Sequence, residues 1–145
     1  MEKYLVVHSD GGSRGNPGPG ACAFVAEENG RAVAEDSKFL GKVTNNVAEY
    51  EGVLLAIRWM IKELKNFNAK HSIVFCLDSE LVAKQLSGLY KIKNPTLVKL
   101  NIEIKDLISK HRFNIAFRNI PREENKQADF LVNRELDKRT SGNFL

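Results

Sequence analysis

The stretch Asp10-Gly-Gly-Ser-Arg-Gly-Asn-Pro-Gly-Pro19 follows an apolar run, Tyr4–Val7, that is typical of a buried strand. Its four glycines and two prolines favour tight turns and close approach of the backbone. We therefore predict that strand one ends at Asp10 and that a glycine-rich turn holds this carboxylate at the rim of a sheet. The segment 10–12 alone is equally typical of a hairpin turn. Whether Asp10 belongs to a functional site therefore depends on whether other acids lie close to it.

The composition is that of an ordinary globular chain of 145 residues, 43% hydrophobic and 28% charged. This length suits one domain spanning residues 1–145, with a tail from about residue 140 that is expected to be flexible. The sequence shows no signal peptide and no apolar run of the roughly 18 residues that a membrane helix needs. Cys22 and Cys76 lie in strand-like runs, which favours buried thiols over a disulfide and indicates a cytoplasmic protein.

Hydrophobic periodicity predicts elements in the order βββαβααβα. The predicted strands are 3–10, Ala21–Glu28, Arg31–Leu40, Ser72–Leu77 and Phe113–Arg118. The predicted helices are about 45–66, Glu80–Leu86, Pro95–Lys110 and Asn125–Lys138. Helical crossovers make strands one, four and five parallel, whereas hairpins make strands one to three antiparallel. The predicted fold class is α/β, with a mixed five-stranded sheet flanked by helices.

Four acids adjoin apolar core sequence in this scheme. Asp10 and Asp78 end parallel strands, whose carboxyl ends form ligand sites in such sheets. Glu49 is expected in the first turn of the long helix, and Asp129 in the first turns of the last one. Each acid has a simpler interpretation, since Asp78 can cap the next helix, Glu49 can complement the helix dipole and Asp129 can be a surface acid. Their common placement at one end of one sheet favours a shared site.

Clustered carboxylates repel one another and need a cation between them. Ligand sets made only of oxygen select hard ions, so we predict Mg²⁺, with Mn²⁺ as a substitute. Two such ions roughly 4 Å apart can activate a water and stabilise the leaving oxygen of a phosphodiester. The segment 83–112 holds seven basic and two acidic residues, which indicates either a solvated helix face or a surface that faces phosphates.

Four sequence blocks resemble the signature motifs of the type 1 ribonuclease H family. The blocks are Asp10–Gly18, Thr44–Glu49, Leu77–Ser79 and Asn125–Asp129. The similarity spans almost the whole chain and includes the order of the elements. It implies an RNase H-like fold and an endonuclease that cleaves the RNA strand of RNA–DNA hybrids with two divalent metal ions. The products implied by the resemblance carry 5′-phosphate and 3′-hydroxyl ends.

The resemblance also implies roles for individual residues. By position, the metal-binding and catalytic acids are Asp10, Glu49, Asp78 and Asp129. Residues that contact the minor groove of the hybrid, where 2′-hydroxyls mark RNA, are Ser13, Asn16, Asn45 and Asn46, and Thr44 matches a contact to a DNA phosphate. The implied partner is the hybrid duplex, no obligate protein partner is evident, and a monomer is expected.

The chain departs from the family pattern in the loop before the last acid. Many members carry a histidine there that assists proton transfer or product release, whereas residues 113–129 contain none. His8, His71 and His111 are placed elsewhere and are expected to be structural or surface residues. Glu123 or Glu124 is the candidate substitute, which predicts that Glu124→Ala slows turnover more than binding.

A second departure is the short connection after the third acid. Some members insert a basic helical handle there, whereas this chain has only Leu89–Asn94, and no separate hybrid-binding domain is expected. We predict modest, strongly salt-dependent affinity, with Lys91 and Lys93 as candidate contacts.

Two rival functions remain open at this point. A nuclease of the same fold could act on double-stranded RNA or DNA junctions, although the Thr44-Asn45-Asn46 block argues against it. A catalytically silent hybrid-binding module is disfavoured, because four clustered negative charges contribute nothing to phosphate binding.

Overall fold

A computed structural model of the protein describes residues 4–141, with side chains described as far as Arg139. Thr140 and Ser141 belong to the last helix, and the rest of the tail that was expected to be flexible lies outside the described residues. The strands are β1 (Tyr4–Ser13), β2 (Gly18–Glu28), β3 (Arg31–Val43), β4 (Ser72–Leu77) and β5 (Asn114–Asn119). The helices are α1 (Asn45–Glu63), α2 (Glu80–Leu86), α3 (Pro95–Lys110) and α4 (Lys126–Ser141), and a 3₁₀ turn spans Arg122–Glu124.

The predicted sheet topology is confirmed. The strands lie in the order β3-β2-β1-β4-β5. The pairs β1–β4 and β4–β5 are parallel, whereas β1–β2 and β2–β3 are antiparallel. The parallel pairing of β1 with β4 ends at His8 and Cys76, so the carboxyl ends of both strands lie at the same edge. This edge is where the predicted site is expected to lie.

The prediction that β1 ends at Asp10 is wrong. The strand continues to Ser13 because β2 extends far enough to pair with it, with Asp10 opposite Ala23 and Ser13 opposite Gly20. The turn lies instead at residues 14–17. Gly11 therefore serves close packing rather than a turn, since a Cβ there would lie 2.1 Å from the carbonyl group of Ala48 on α1.

Helices cover both faces of the sheet. On one face, α1 packs on β1 and β2 through a core that includes Leu5, Phe24 and Tyr50. On the other face, α4 packs on β2 through Leu131 and neighbouring apolar residues. Both helices begin near the edge where β1 and β4 end, since Ala48 near the start of α1 lies against Gly11 and Asn125, just before α4, donates to the carbonyl of Ser9.

Two further features concern the cysteines and the apolar character of the helices. Cys22 and Cys76 are buried free thiols, as predicted. Among residues 4–141, no helix is both long and apolar enough to cross a membrane.

Candidate active site

The four acids predicted from the sequence lie together at the carboxyl end of the parallel strands. Carboxylate oxygens of Asp10, Glu49 and Asp78 all lie within 4.8 Å of one another. Asp129 lines the same cavity of about 500 Å³, which we call the acidic cavity. Side chains that are far apart in the sequence thus meet where β1, β4, α1 and α4 come together.

Asp10 lies on β1 beyond the last residue paired with β4. Its side chain is buried, and its Oδ1 accepts a hydrogen bond from the backbone N–H of Gly11 at 2.9 Å. A Cβ on Gly52 would lie only 2.6 Å from the carbonyl oxygen of Asp10. Glycine at position 52 therefore lets α1 lie directly against β1 and places the beginning of the helix beside the Asp10 carboxylate.

Glu49 lies in the second turn of α1 and not in the first, which corrects the predicted position. Thr44 is the N-cap, and its hydroxyl accepts a hydrogen bond from the N–H of Val47 at 3.2 Å. Favourable interaction with the helix dipole falls off within the first turn, so the dipole does not account for Glu49. The side chain is only 7% exposed and lies against the other two acids.

Asp78 directly follows β4, whose last carbonyl, that of Leu77, accepts hydrogen bonds from Asn119 Nδ2 and from the N–H of Ile120. The alternative that Asp78 caps α2 does not hold, because Ser79 is the N-cap and its Oγ accepts from the N–H of Val82. The backbone around Asp78 is thus fixed by other groups, and its carboxylate remains directed to the acidic cavity.

Asp129 lies in the first turn of α4, as predicted, and is half-buried. Its backbone N–H donates to the carbonyl of Asn125, and its carbonyl accepts from Asn133 Nδ2 at 3.0 Å. Because Asp129 is not part of the closely packed trio, the site consists of three adjoining carboxylates with a fourth on the cavity wall.

Burial raises the pKa values of the three adjoining acids, Asp10, Glu49 and Asp78. The pKa of Asp10 is raised from 3.8 to about 7, first by burial and then by the charge of Asp78. The pKa of Glu49 lies well above its usual range for the same first reason, followed by the charge of Asp10. Burial also raises the pKa of Asp78, although the guanidinium of Arg122 opposes this. The trio is therefore strained electrostatically when it holds no cation.

The donor set fits a hard divalent cation. All the grouped ligand atoms are carboxylate oxygens, the type that Mg²⁺ and Mn²⁺ prefer. Glu49 Oε2 is buried and finds no hydrogen-bond partner among the described residues. A buried acceptor without a partner is costly, and a cation bound by Asp10, Glu49 and Asp78 would remove that cost.

The residues that were predicted to contact the minor groove form a connected wall of the site. Both the N–H and the Oγ of Ser13 donate to Asn45 Oδ1, at 2.9 and 3.1 Å. The N–H of Asn45 donates to Asn16 Oδ1 at 2.9 Å. Ser13, Asn45 and Asn46 line the acidic cavity. These bonds fix the β1–β2 turn to the start of α1, where Thr44 is the cap.

Lys91 and Lys93 lie elsewhere, in the connection between α2 and α3. Both side chains are exposed, and neither residue lines the acidic cavity. The segment is anchored by Gln85, whose Nε2 donates to the carbonyl of Lys91 at 3.4 Å. Contact of these lysines with a duplex therefore remains a prediction about a neighbouring surface.

The structure does not bring Glu123 and Glu124 to the four acids. Both lie in the 3₁₀ turn and line a separate cavity of about 290 Å³ together with His8 and Glu27, which we call the second cavity. Within the described chain, no histidine lines the acidic cavity. The place next to the third acid is taken by Arg122 instead.

Arg14, Arg122 and Asn125 are the site residues that sequence reasoning missed. Both arginines line the acidic cavity. Asn125 is 1% exposed, and its Nδ2 donates to the carbonyl of Ser9 at 2.9 Å, which ties the start of α4 to β1. Arg14 and Asn125 fall within the quoted family blocks, but Arg122 lies in a polar run that gives no signal in the sequence.

Comparison with known proteins identifies the family. A family model described as "Reverse transcriptase-like" matches residues 8–135. Ribonuclease HI of Halobacterium salinarum is 35% identical over 134 residues, which are 90% of this chain and 64% of that protein. The crystal structure of LC11-RNase H1 in complex with an RNA/DNA hybrid matches with a TM-score of 0.89 at 36% identity, covering 94% of this chain and 99% of that one. The chain belongs to the type 1 ribonuclease H family.

Some relatives of this ribonuclease H chain are much longer. The bifunctional protein Rv2228c of Mycobacterium tuberculosis is 39% identical over 136 residues, which are 92% of this chain but 35% of that protein. The chain thus spans about a third of the length of this relative. A solved structure of the N-terminal RNase H domain of that protein matches this chain with a TM-score of 0.85 at 33% identity.

Proposed function

We propose that this ribonuclease H family chain hydrolyses the RNA strand of RNA–DNA hybrids in the acidic cavity. The observation that carries the proposal is the meeting of the buried carboxylates of Asp10 and Glu49 with the half-buried carboxylate of Asp78, within 4.8 Å, at the carboxyl end of the parallel strands. The fully matched relative LC11-RNase H1 was crystallised with an RNA/DNA hybrid, which supports this substrate class. We infer 5′-phosphate and 3′-hydroxyl products.

The acids Asp10, Glu49, Asp78 and Asp129 would hold two Mg²⁺ ions, with Mn²⁺ as a substitute. When bound, such ions supply Lewis acidity for the attacking water and for the leaving oxygen of the phosphodiester. The carboxylates neutralise the ions and orient them. Burial of Asp10 and Glu49 excludes water that would otherwise compete for the ligand positions.

The protein itself selects and positions the hybrid. The amide oxygen of Asn45 is used by Ser13, so its Nδ2 remains a donor for the substrate. Because Asn16 and Thr44 fix the same wall, the polar groups are held in place before the duplex binds. Such an arrangement suits recognition of 2′-hydroxyls in a minor groove.

A cleavage assay tests the proposal. A labelled RNA–DNA hybrid, double-stranded RNA and double-stranded DNA are each incubated with Mg²⁺, Mn²⁺ or a chelator. We expect cleavage of the RNA in the hybrid with either metal ion and none with the chelator. Equal cleavage of double-stranded RNA would favour the rival nuclease, and hybrid binding without cleavage would favour a binding module.

The basic connection between α2 and α3 is expected to contribute to the affinity for the hybrid. We expect Lys91→Gln combined with Lys93→Gln to weaken hybrid binding and to flatten its dependence on salt by about one unit of slope per lost phosphate contact. An unchanged slope would show that these lysines do not contact the hybrid, and it would not affect the assignment of the cleavage site.

A further inference from the structure

We propose that Arg14 binds a phosphate of the hybrid and that Asp137 holds the Arg14 side chain in the free protein until the phosphate replaces it. The inference rests on the proposed function, because it assigns a further contact to the same substrate. It adds a phosphate subsite on the α4 side of the acidic cavity.

The position of Arg14 is set by both of its neighbouring segments. It follows Ser13 directly, and its backbone N–H donates to the carbonyl of Pro19 at 2.9 Å, which closes the β1–β2 turn. Its Nη2 lies 2.6 Å from Asp137 Oδ1 and 3.5 Å from Asn133 Oδ1, both on α4. Arg14 and Asn133 line the acidic cavity. The guanidinium thus lies at the rim of the cavity, between the turn and α4.

The acidic cavity needs cations at its rim to accept a polyanion. The carboxylates of Asp10, Glu49 and Asp78 line this cavity. Among the described residues that line it, the two cations are Arg14 and Arg122. Arg122 already acts on Asp78, whereas the Arg14 guanidinium, among the described residues, pairs with exposed side chains of α4. Arg14 is therefore the cation that can turn to a phosphate without removing a positive charge that acts on the acidic trio.

The ion pair that holds Arg14 is weak enough to exchange. The Arg14 side chain is 42% exposed and that of Asp137 is 66% exposed. Exposed pairs of this kind contribute little to stability, whereas an arginine can bind a phosphate through two parallel hydrogen bonds. Exchange of the partner thus releases Asp137 to water and gives Arg14 the stronger contact.

A second ion pair of the molecule provides a matched control. Arg58 Nη2 lies 2.6 Å from Glu103 Oε2, and the two side chains are 54% and 43% exposed. This pair joins α1 to α3, and neither residue lines the acidic cavity. Arg58→Gln and Glu103→Gln therefore change the net charge in the same way, with the same loss of a surface pair, at a distance from the proposed subsite.

The first measurement is hybrid binding in an Asp10→Asn background with Mg²⁺, so that binding is read without cleavage. The probe is a short fluorescein-labelled RNA–DNA hybrid at several salt concentrations. We expect Arg14→Gln to weaken binding about tenfold and to lower the salt slope by about one unit, whereas Arg58→Gln changes neither by as much. Equal effects of the two variants would overturn the subsite.

The second measurement tests the exchange. If Asp137 competes with the phosphate, Asp137→Asn should tighten binding about threefold, and this gain should disappear when Arg14→Gln is also present. The same gain in both backgrounds would show that only a local negative charge matters. Weaker binding by Asp137→Asn would show that the pair orients Arg14 toward the substrate and would overturn the exchange.

Steady-state kinetics separate this inference from the proposed function. In the protein that retains Asp10, Arg14→Gln should raise KM for the hybrid and leave kcat nearly unchanged. The reason is that the lost contact stabilises the bound substrate and the transition state equally. Arg14→Lys should restore the salt slope but not the full affinity, since lysine lacks the planar fork. Cleavage of the hybrid by the unaltered chain, combined with a normal KM for Arg14→Gln, would leave the proposed function standing and refute the subsite.

Discussion

Two cavities of the molecule both carry carboxylates, but these carboxylates differ in burial. In the acidic cavity, Asp10 and Glu49 are 5% and 7% exposed and their oxygens lie within 4.8 Å of those of Asp78. In the second cavity, Glu27, Glu123 and Glu124 are exposed to solvent. The number of acids alone therefore does not favour a metal site. A metal site is favoured where acids are buried side by side, because only then does a cation relieve a large electrostatic cost.

The largest expected effect separates the two cavities by activity. Asp10→Asn should lower kcat on the hybrid on the order of 10³-fold, because several kcal/mol of metal-based stabilisation are lost, while binding is kept. Glu27→Gln, which removes the same charge from the second cavity, should stay within about twofold of the parent. The measurement is single-turnover cleavage with Mg²⁺. A comparable loss from both variants would mean that the second cavity belongs to the catalytic site.

The next effect concerns stability without metal. The pKa of Asp10 in the folded protein is about 7, above the unfolded value of 3.8, so the folded state holds this proton more tightly. The stability it contributes is complete below the unfolded pKa and is lost as the pH rises through the folded pKa. Asp10→Asn should therefore raise the Tm in chelator at pH 8 by about 5 °C, and the gain should vanish near the unfolded pKa.

The control for this stability prediction is again Glu27→Gln, which should give no comparable gain at either pH. Addition of Mg²⁺ should raise the Tm of the parent chain more than that of Asp10→Asn, because a ligand that binds only the folded state stabilises it. Thermal melts that show Asp10→Asn less stable at pH 8 in chelator would contradict the electrostatic strain of the trio.

A smaller effect is expected from Arg122, the cation beside the trio. Its charge lowers the pKa of Asp78 against the effect of burial. Arg122→Ala should therefore let protons compete better with Mg²⁺ for Asp78, so that the Mg²⁺ requirement rises and kcat/KM falls about tenfold at acidic pH, with partial recovery in Arg122→Lys. Lys126→Ala, on the second cavity, is the matched control. The checking measurement is a Mg²⁺ titration of activity, and an unchanged metal requirement in Arg122→Ala would count against the role.

The smallest effect is expected from the acids of the 3₁₀ turn. Because Glu123 and Glu124 line the second cavity, the combined Glu123→Ala and Glu124→Ala variant should keep kcat within about twofold. Turnover and hybrid binding are measured together. A clear loss of turnover at normal affinity would instead support the sequence-based hypothesis that one of them replaces the loop histidine.

Sequence patterns predicted the elements well because each pattern is local. The continuous apolar run of β4 and the three- to four-residue spacing in α1 depend only on near neighbours in the chain. The end of β1 was misplaced because Gly11 and Gly12 are typical of a turn, whereas the extent of β2 decides how far β1 remains paired. The position of Glu49 was misjudged by one turn, since Thr44 is the N-cap and Glu49 is therefore the fifth residue of α1.

The amino-acid sequence by itself determined the order of strands and helices, the mixed sheet and the identity of the four acids, because periodicity and short motifs are properties of neighbouring residues. Only the tertiary structure decided which charges share a cavity. Arg14 and Arg122 line the acidic cavity, while Glu123 and Glu124, next to Arg122 in the chain, line the second cavity. The physical reason is that the direction of a side chain depends on packing between α4, the 3₁₀ turn and the sheet, which no local pattern records.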